Sequence, residues 1–216
     1  MKTAKDTAGN LYRYIPNDPF DARIYRLPNG LTVFLSRNPS RPRVSVLTIV
    51  RAGSTDEPSA STGLAHYFEH MMFKGTPRMG TLNWEKEKPL LDRISDLFEQ
   101  RKREKDPERK KALYAEIDRL SSEAAQYAAA GEFSKLASSI GTSGLNAATG
   151  YDFTVYMGEV PSNELGKYLA LDAERFSSPV LRLFHTELET VYEEFNRSQD
   201  KDAMISYEVL NRAILP

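Results

Sequence analysis

Two of the three histidines in this sequence stand in His66-Tyr67-Phe68-Glu69-His70. In a helix, a spacing of four puts His66 and His70 on one face a turn apart, so both imidazoles can grip one metal ion. Glu69 shares that side, close to where a water activated by the ion would need a base. The acid precedes the second histidine, the inverse of the H-E-x-x-H order. A catalytic zinc takes three protein ligands and keeps one position open. The third ligand must come from elsewhere, and the chain has no cysteine. His185 is one candidate; Glu187, Glu189, Glu193 and Glu194 are others, on the segment that reads as the final helix. Glu187 and Glu194 are two turns apart and project from one face with Val191 between them, while Glu193 points away from Glu187. Two aligned carboxylates facing a histidine pair suit a dication. A histidine pair on a helix is also an ordinary surface or core feature, so the motif alone leaves both readings open.

The elements that must position these residues can be read from periodicity and punctuation. Residues 1–20 are polar and turn-rich, and are expected to form an extended lead-in. Pro28-Asn29-Gly30 marks a turn between extended runs Arg23 to Leu27 and Leu31 to Ser36. A β-branched run, Val44 to Val50, reads as a further strand. Ser61 or Thr62 is placed to cap the helix carrying His66 and His70. From Trp84 to about Ala137 a charged segment reads as an inserted helical hairpin. Leu90, Leu91, Ile94, Leu97 and Phe98 form one stripe, and Leu113, Ile117, Leu120 and Ala124 the other. Asp106-Pro107 supplies a helix start between them. Basic Arg101-Lys102-Arg103 is flanked by acids and reads as a solvated hairpin tip. Leu145 to Thr149 and Phe153 to Val160 read as two strands joined at Gly150-Tyr151-Asp152. A helix then opens at Pro161 and ends near Ser177, and a long one runs from Thr186 to Ile214. The sum is an α+β fold, helices packed on a mainly antiparallel sheet.

Bulk properties exclude several classes. A formal net charge of -1 over 216 residues gives no global field for nucleic acid or an anionic membrane. No apolar run is long enough to span a bilayer. The start, Met1-Lys2-Thr3-Ala4-Lys5-Asp6, has no apolar stretch and is not a signal peptide as it stands. Its abrupt polarity favours a bacterial periplasmic setting over the cytoplasm. The helix running to the last residues gives the expectation that this is the N-terminal part of a longer protein.

The stretch from Gly63 to Thr76, GLAHYFEHMMFKGT, resembles the active-site helix of the pitrilysin, insulysin and mitochondrial-processing-peptidase family. In that family a glycine, an Asn-Ala-x-Thr strand, a Thr-x-Tyr strand and a Val-Pro helix start follow in order. Here Gly144, Asn146-Ala147-Ala148-Thr149, Thr154-Val155-Tyr156 and Val160-Pro161 match them. The family's E-x-x-x-V-x-x-E helix is matched by Glu187 to Glu194, which puts the third ligand on Glu194. The resemblance implies a zinc endopeptidase with one ion held by His66, His70 and Glu194. Glu69 would activate water and return its proton to the leaving amine, with Glu187 as an auxiliary carboxylate. The strand Asn146, Ala147, Ala148 and Thr149 would bind the substrate backbone as an added strand. The substrate would be a peptide or unfolded polypeptide. Residues 1–216 would form a single catalytic domain, half of a clamshell whose other half is the C-terminal half of the parent protein or a homologous subunit.

Two departures qualify this. The gap from His70 to Glu194 exceeds the family's usual one, and the hairpin at 84–137 supplies the excess. The partner half lies outside this sequence, so the isolated chain is expected to bind zinc yet cleave poorly. A related fold with the same inverted motif, the S-ribosylhomocysteine lyases, uses a cysteine that is lacking here. The remaining alternatives are a non-catalytic peptide-binding or scaffold subunit of the same fold, and a binding module built on the charged hairpin.

Overall fold

A computed structural model describes residues 1–200 and 202–214. The chain divides into two compact units, Met1–Pro42 and Arg43–Pro216. In the first, β1 (Lys2–Lys5), β2 (Leu11–Tyr14), β3 (Arg23–Arg26) and β4 (Thr32–Leu35) form an antiparallel meander in that order. The expected turn joins β3 to β4: Gly30 sits at φ 91° and Leu27 N–H donates to Leu31 O at 2.8 Å. The expected plain lead-in is instead a hairpin. Asp6 turns it by accepting from Ala8 and Asn10 backbone N–H groups at 2.9 and 2.8 Å. An Asx turn needs only one correctly placed aspartate, and neighbouring polarity conceals it.

The second unit is built on a three-stranded antiparallel sheet of order β5-β7-β6: β5 (Arg43–Val50), β6 (Ser143–Thr149) and β7 (Thr154–Pro161). Central β7 is the most buried, as a strand paired on both sides should be. β5 runs against its full length, from Arg43↔Pro161 to Val50↔Thr154. β6 pairs from Thr149↔Thr154 to Asn146↔Met157 and then bulges before Ser143. Its other edge has no strand partner among the described residues.

The helices are α1 (Leu64–Met71), α2 (Trp84–Arg103), α3 (Pro107–Ala125), α4 (Glu132–Ser139), α5 (Leu165–Ser177), α6 (Phe184–Gln199) and α7 (Asp202–Ile214). The expected single last helix is thus two, α6 and α7. The two apolar stripes of the charged segment meet: Ile94 and Leu97 pack on Ile117, Leu120 and Ala124, with Leu90, Leu91, Phe98 and Leu113 around them. Asp106 caps α3 by accepting from Glu108 N–H at 2.9 Å. Each fully buried aliphatic here contributes about 1.5–3 kcal/mol, which holds the charged pair of helices together. The hairpin proper ends at Ala125; α4 is a separate short helix.

The loop from Lys74 to Gly80, which joins α1 to α2, is organised by one buried ion pair. Arg182 and Glu87 are 2% and 0% exposed. Arg182 Nε and Nη2 donate to the two Glu87 oxygens at 2.8 and 3.1 Å. Its remaining donors reach Lys74 O at 2.8 Å, Met79 O at 3.1 Å and Thr76 O at 2.9 Å. All five guanidinium N–H groups are therefore used, the condition under which a buried charge is tolerable. Gly75 and Gly80, at φ 102° and 83°, leave room for it: a Cβ on either would lie within 3 Å of Arg182 Nη1 and nearer still to backbone oxygen.

His185, at the start of α6, packs on the hairpin side, with its ring centroid 5.1 Å from Phe98, 6.0 Å from Tyr114 and 5.8 Å from Phe184. Its buried Nε2 has no hydrogen-bond partner among the described residues. Burial holds its pKa below the usual value, against an opposing pull from Asp118 and Glu189.

Two outcomes follow from these buried groups. Glu87→Gln should lower unfolding free energy in urea by about 3–5 kcal/mol, because it strands the Arg182 charge. Lys88→Met, which breaks an exposed pair with Asp92, should cost less than about 1 kcal/mol. The depressed His185 pKa means the unfolded chain takes up a proton first. Stability should therefore fall as pH drops below about 6.5 and level off below the folded pKa. Urea titrations across pH 5–7.5 should show a shallower acid limb in His185→Phe.

Candidate functional site

α1 begins at Gly63, whose φ of 93° breaks the preceding chain direction. Neither Ser61 nor Thr62 caps it. The Glu57 carboxylate does so from outside, accepting from Gly63 and Ala65 N–H, both at 2.7 Å. An acidic group there also complements the helix dipole. Tyr67 and Met71 are buried against Val191, with Phe184 packed beside them, and this fastens α1 to α6. Tyr67 OH donates to Phe184 O at 2.7 Å. With that side of α1 buried, the i, i+4 spacing delivers His66 and His70 together beside α6.

The structure brings His66, His70 and Glu194 to one point. His66 Nε2 and His70 Nε2 are 3.2 Å apart, and Glu194 Oε2 is 3.6 Å from each. These three donor atoms form a group able to hold a metal ion. Ligand atoms of a tetrahedral zinc with bonds of ~2.0–2.1 Å stand about 3.3–3.4 Å apart, so the donor set fits that ion. Its chemistry fits too, two imidazoles and one carboxylate being the zinc set of several hydrolases.

Glu187 stands behind His70. Its Oε1 is 2.8 Å from His70 Nδ1, and its Oε2 accepts from Lys74 Nζ. Burial opposes ionisation of Glu187, but the hydrogen bonds from Lys74 and His70 prevail and hold its carboxyl below its usual value. An ionised Glu187 only accepts, so His70 carries its proton on Nδ1 and presents the Nε2 lone pair to the cluster.

Glu69 is 7% exposed and is joined to β6, where Thr149 Oγ1 donates to its Oε2 at 2.5 Å. Thr149 and Ala147 are half-buried, while Asn146 and Ala148 are exposed, the alternation of an edge strand. β6, whose outer edge has no strand partner among the described residues, therefore lies beside the helix that carries His66, Glu69 and His70.

Of the other candidates, His185 is held among rings of the hairpin, away from the cluster. Glu189 and Glu193 are exposed, and Glu193 pairs with Arg197 at 3.3 Å. Reasoning from the motif passed over Lys74, Thr149 as a partner of Glu69, and Glu57 as the cap. Lys74, four residues beyond His70, carried the one available signal, since it continues the same helical spacing.

Comparison with known proteins places this site in context. The family model described as insulinase (peptidase family M16) matches residues 32–88, which contain α1. The chain is 51% identical over 49 residues to coenzyme PQQ synthesis protein F of Pseudomonas aeruginosa, covering 23% of this chain and 6% of that one. It is 44% identical over 54 residues to mitochondrial-processing peptidase subunit beta of Blastocladiella emersonii, covering 25% and 12%. Human insulin-degrading enzyme is 38% identical over 68 residues, covering 30% and 7%. The matched segments are thus a small fraction of these relatives' own lengths. Among solved structures, pitrilysin superposes on the whole of this chain and 18% of its own, with a TM-score of 0.60 and 22% identity. A protease from Helicobacter pylori gives a TM-score of 0.55 and 24% identity over 83% of this chain and 32% of its own. The first half of the Escherichia coli periplasmic protease PqqL gives 0.54 and 19% over 91% and 33%. These superpositions give the fold as the α+β arrangement of such proteases. The segmental relatives and the matched α1 region support the insulinase family, peptidase family M16, as the one this chain resembles.

Proposed function

We propose that this chain carries the catalytic half-unit of a zinc endopeptidase acting on peptides or unfolded polypeptide. The observation that carries the reading is the convergence of His66 Nε2, His70 Nε2 and Glu194 Oε2 at zinc-ligand spacing. Zinc, when bound there, would supply Lewis acidity, polarising a peptide carbonyl and lowering the pKa of water to about 7.

The chain's own residues do the rest. The substrate backbone adds to the unpaired edge of β6, along Asn146, Ala147, Ala148 and Thr149, and main-chain pairing fixes its register. The same strand holds Glu69 through Thr149, so substrate and base share one support. Glu69 Oε1 takes a proton from the attacking water, Oε2 being committed to Thr149, and returns it to the amine nitrogen that leaves. Burial of Glu69 shields the exchanged proton from bulk water. Glu187 keeps His70 in its Nδ1–H form.

The protein whose first half resembles this chain is a periplasmic protease. On that likeness we assign a periplasmic setting and a second half, covalent or as a homologous subunit, that closes over the substrate. No helix among the described residues is long and apolar enough to cross a membrane.

Elemental analysis of the purified chain should find about one zinc per molecule. Chelator competition should show its affinity lowered by at least about 100-fold in His70→Ala and Glu194→Gln, beyond the 10–100-fold loss typical of a residue that only supports a ligand. A metal-free chain after incubation with excess zinc would instead favour the non-catalytic peptide-binding or scaffold subunit.

A further inference from the structure

We propose that Lys74 is a positioning residue of this site: by clamping Glu187 it fixes the tautomer and orientation of His70. The inference rests on reading His66, His70 and Glu194 as the zinc ligands. It starts from the state of Glu187, whose side chain is 12% exposed and lies between two donors. Its oxygens are divided, Oε1 to His70 Nδ1 and Oε2 to Lys74 Nζ. A carboxylate so far from water needs both partners to offset its lost hydration. The imidazole by itself supplies one neutral N–H. The lysine supplies the countercharge.

The backbone of Lys74 is held from both directions. Its N–H donates to Met71 O at 3.0 Å, closing the turn that ends α1. Its carbonyl accepts from Arg182 Nη1 at 2.8 Å, in the buried clamp with Glu87. The next residue, Gly75, accepts from Val180 N–H at 3.0 Å. The lysine thus springs from a fixed point, and its side chain, 22% exposed, spans from the end of α1 to Glu187 on α6. Without it, Glu187 would turn toward water. His70 Nδ1 would then have no acceptor to hold its proton, and the Nε2 lone pair would no longer be directed at His66 and Glu194.

The test compares Lys74→Met, Lys74→Arg, Glu187→Gln and the double variant Lys74→Met/Glu187→Gln in the 216-residue chain. Zinc affinity is read by competition with a chromophoric chelator, and the His70 tautomer by 15N spectra of the metal-free protein. Lys74→Met should weaken zinc binding about 10–100-fold and diminish the Nδ1–H signature of His70. Lys74→Arg should restore most of both, and Lys74→Met should cost nothing further once Glu187 is glutamine. Unchanged affinity and an unchanged tautomer in Lys74→Met would overturn the proposal, as would losses that multiply in the double variant. If the unsubstituted chain binds no zinc, the zinc reading fails by itself. The spectra then decide on Lys74, a retained Nδ1–H in Lys74→Met sinking the proposal and its loss supporting it.

Discussion

The charge of Arg182 is buried and so must be fully satisfied by hydrogen bonds, and much of the second unit follows from that requirement. Five N–H groups need five acceptors, and Glu87 provides only two oxygens. The others are backbone carbonyls of Lys74, Thr76 and Met79, so the loop after α1 has to coil around the guanidinium. That coil demands glycine at 75 and 80, where a side chain would collide with Arg182. It also sets where α1 ends, where α2 starts and where Lys74 points. Replacing such a pair by apolar residues can be neutral in energy elsewhere. Here the shape of the loop is cut to the fork, which an apolar side chain could not hold by hydrogen bonds.

The chemistry sits one layer outward from that clamp. Glu187 and Glu194 face the two imidazoles and Glu69 is joined to β6, so the three carboxylates meet different environments. Glu69 is buried and held by a threonine hydroxyl. Glu187 is partly buried and neutralised by lysine. Glu194 remains exposed, with an oxygen turned to both histidines. The same functional group thus meets three surroundings: a hydroxyl partner, a lysine countercharge and open access. A dication is the species that such an arrangement of donors attracts most strongly.

Locally encoded features were legible in the sequence. The hairpin stripes, the Asp106 cap, the β3–β4 turn and the i, i+4 histidine pair each depend on residues within one or two turns of each other. The seven-residue step from Glu187 to Glu194 put both carboxylates on one face, and both indeed face α1. What stayed hidden was joined across long separations. Arg182 and Glu87 are 95 residues apart, and Lys74 and Glu187 are 113 apart. No period relates such pairs, and an arginine or lysine among 29 basic residues carries no mark of burial. The cap of α1 was misread for a similar reason. Ser61 and Thr62 are good capping types, yet Gly63 turns the chain away and Glu57 reaches the N–H groups first.

The long hairpin between the two halves of the site shows how distance in sequence becomes irrelevant in space. Its ends are tied to each other: Leu82 N–H donates to Tyr127 O at 2.7 Å, Ala129 N–H to Gly80 O at 3.0 Å, and Thr81 bridges Ala128. Glu132 accepts from Gly80 N–H at the same base. Chain that leaves at Gly80 therefore returns beside it, and loop closure between such ends grows only slowly more costly with length. Within the hairpin, Ile94, Leu97, Ile117, Leu120 and Ala124 form a core that borrows little from the sheet. It is joined to the rest of the unit by Glu87, the acid that Arg182 requires, and by Phe98 and Tyr114 against His185. The hairpin thus supplies half of the clamp that shapes the Lys74 loop. The loop beside the site therefore takes its form from a residue on the hairpin.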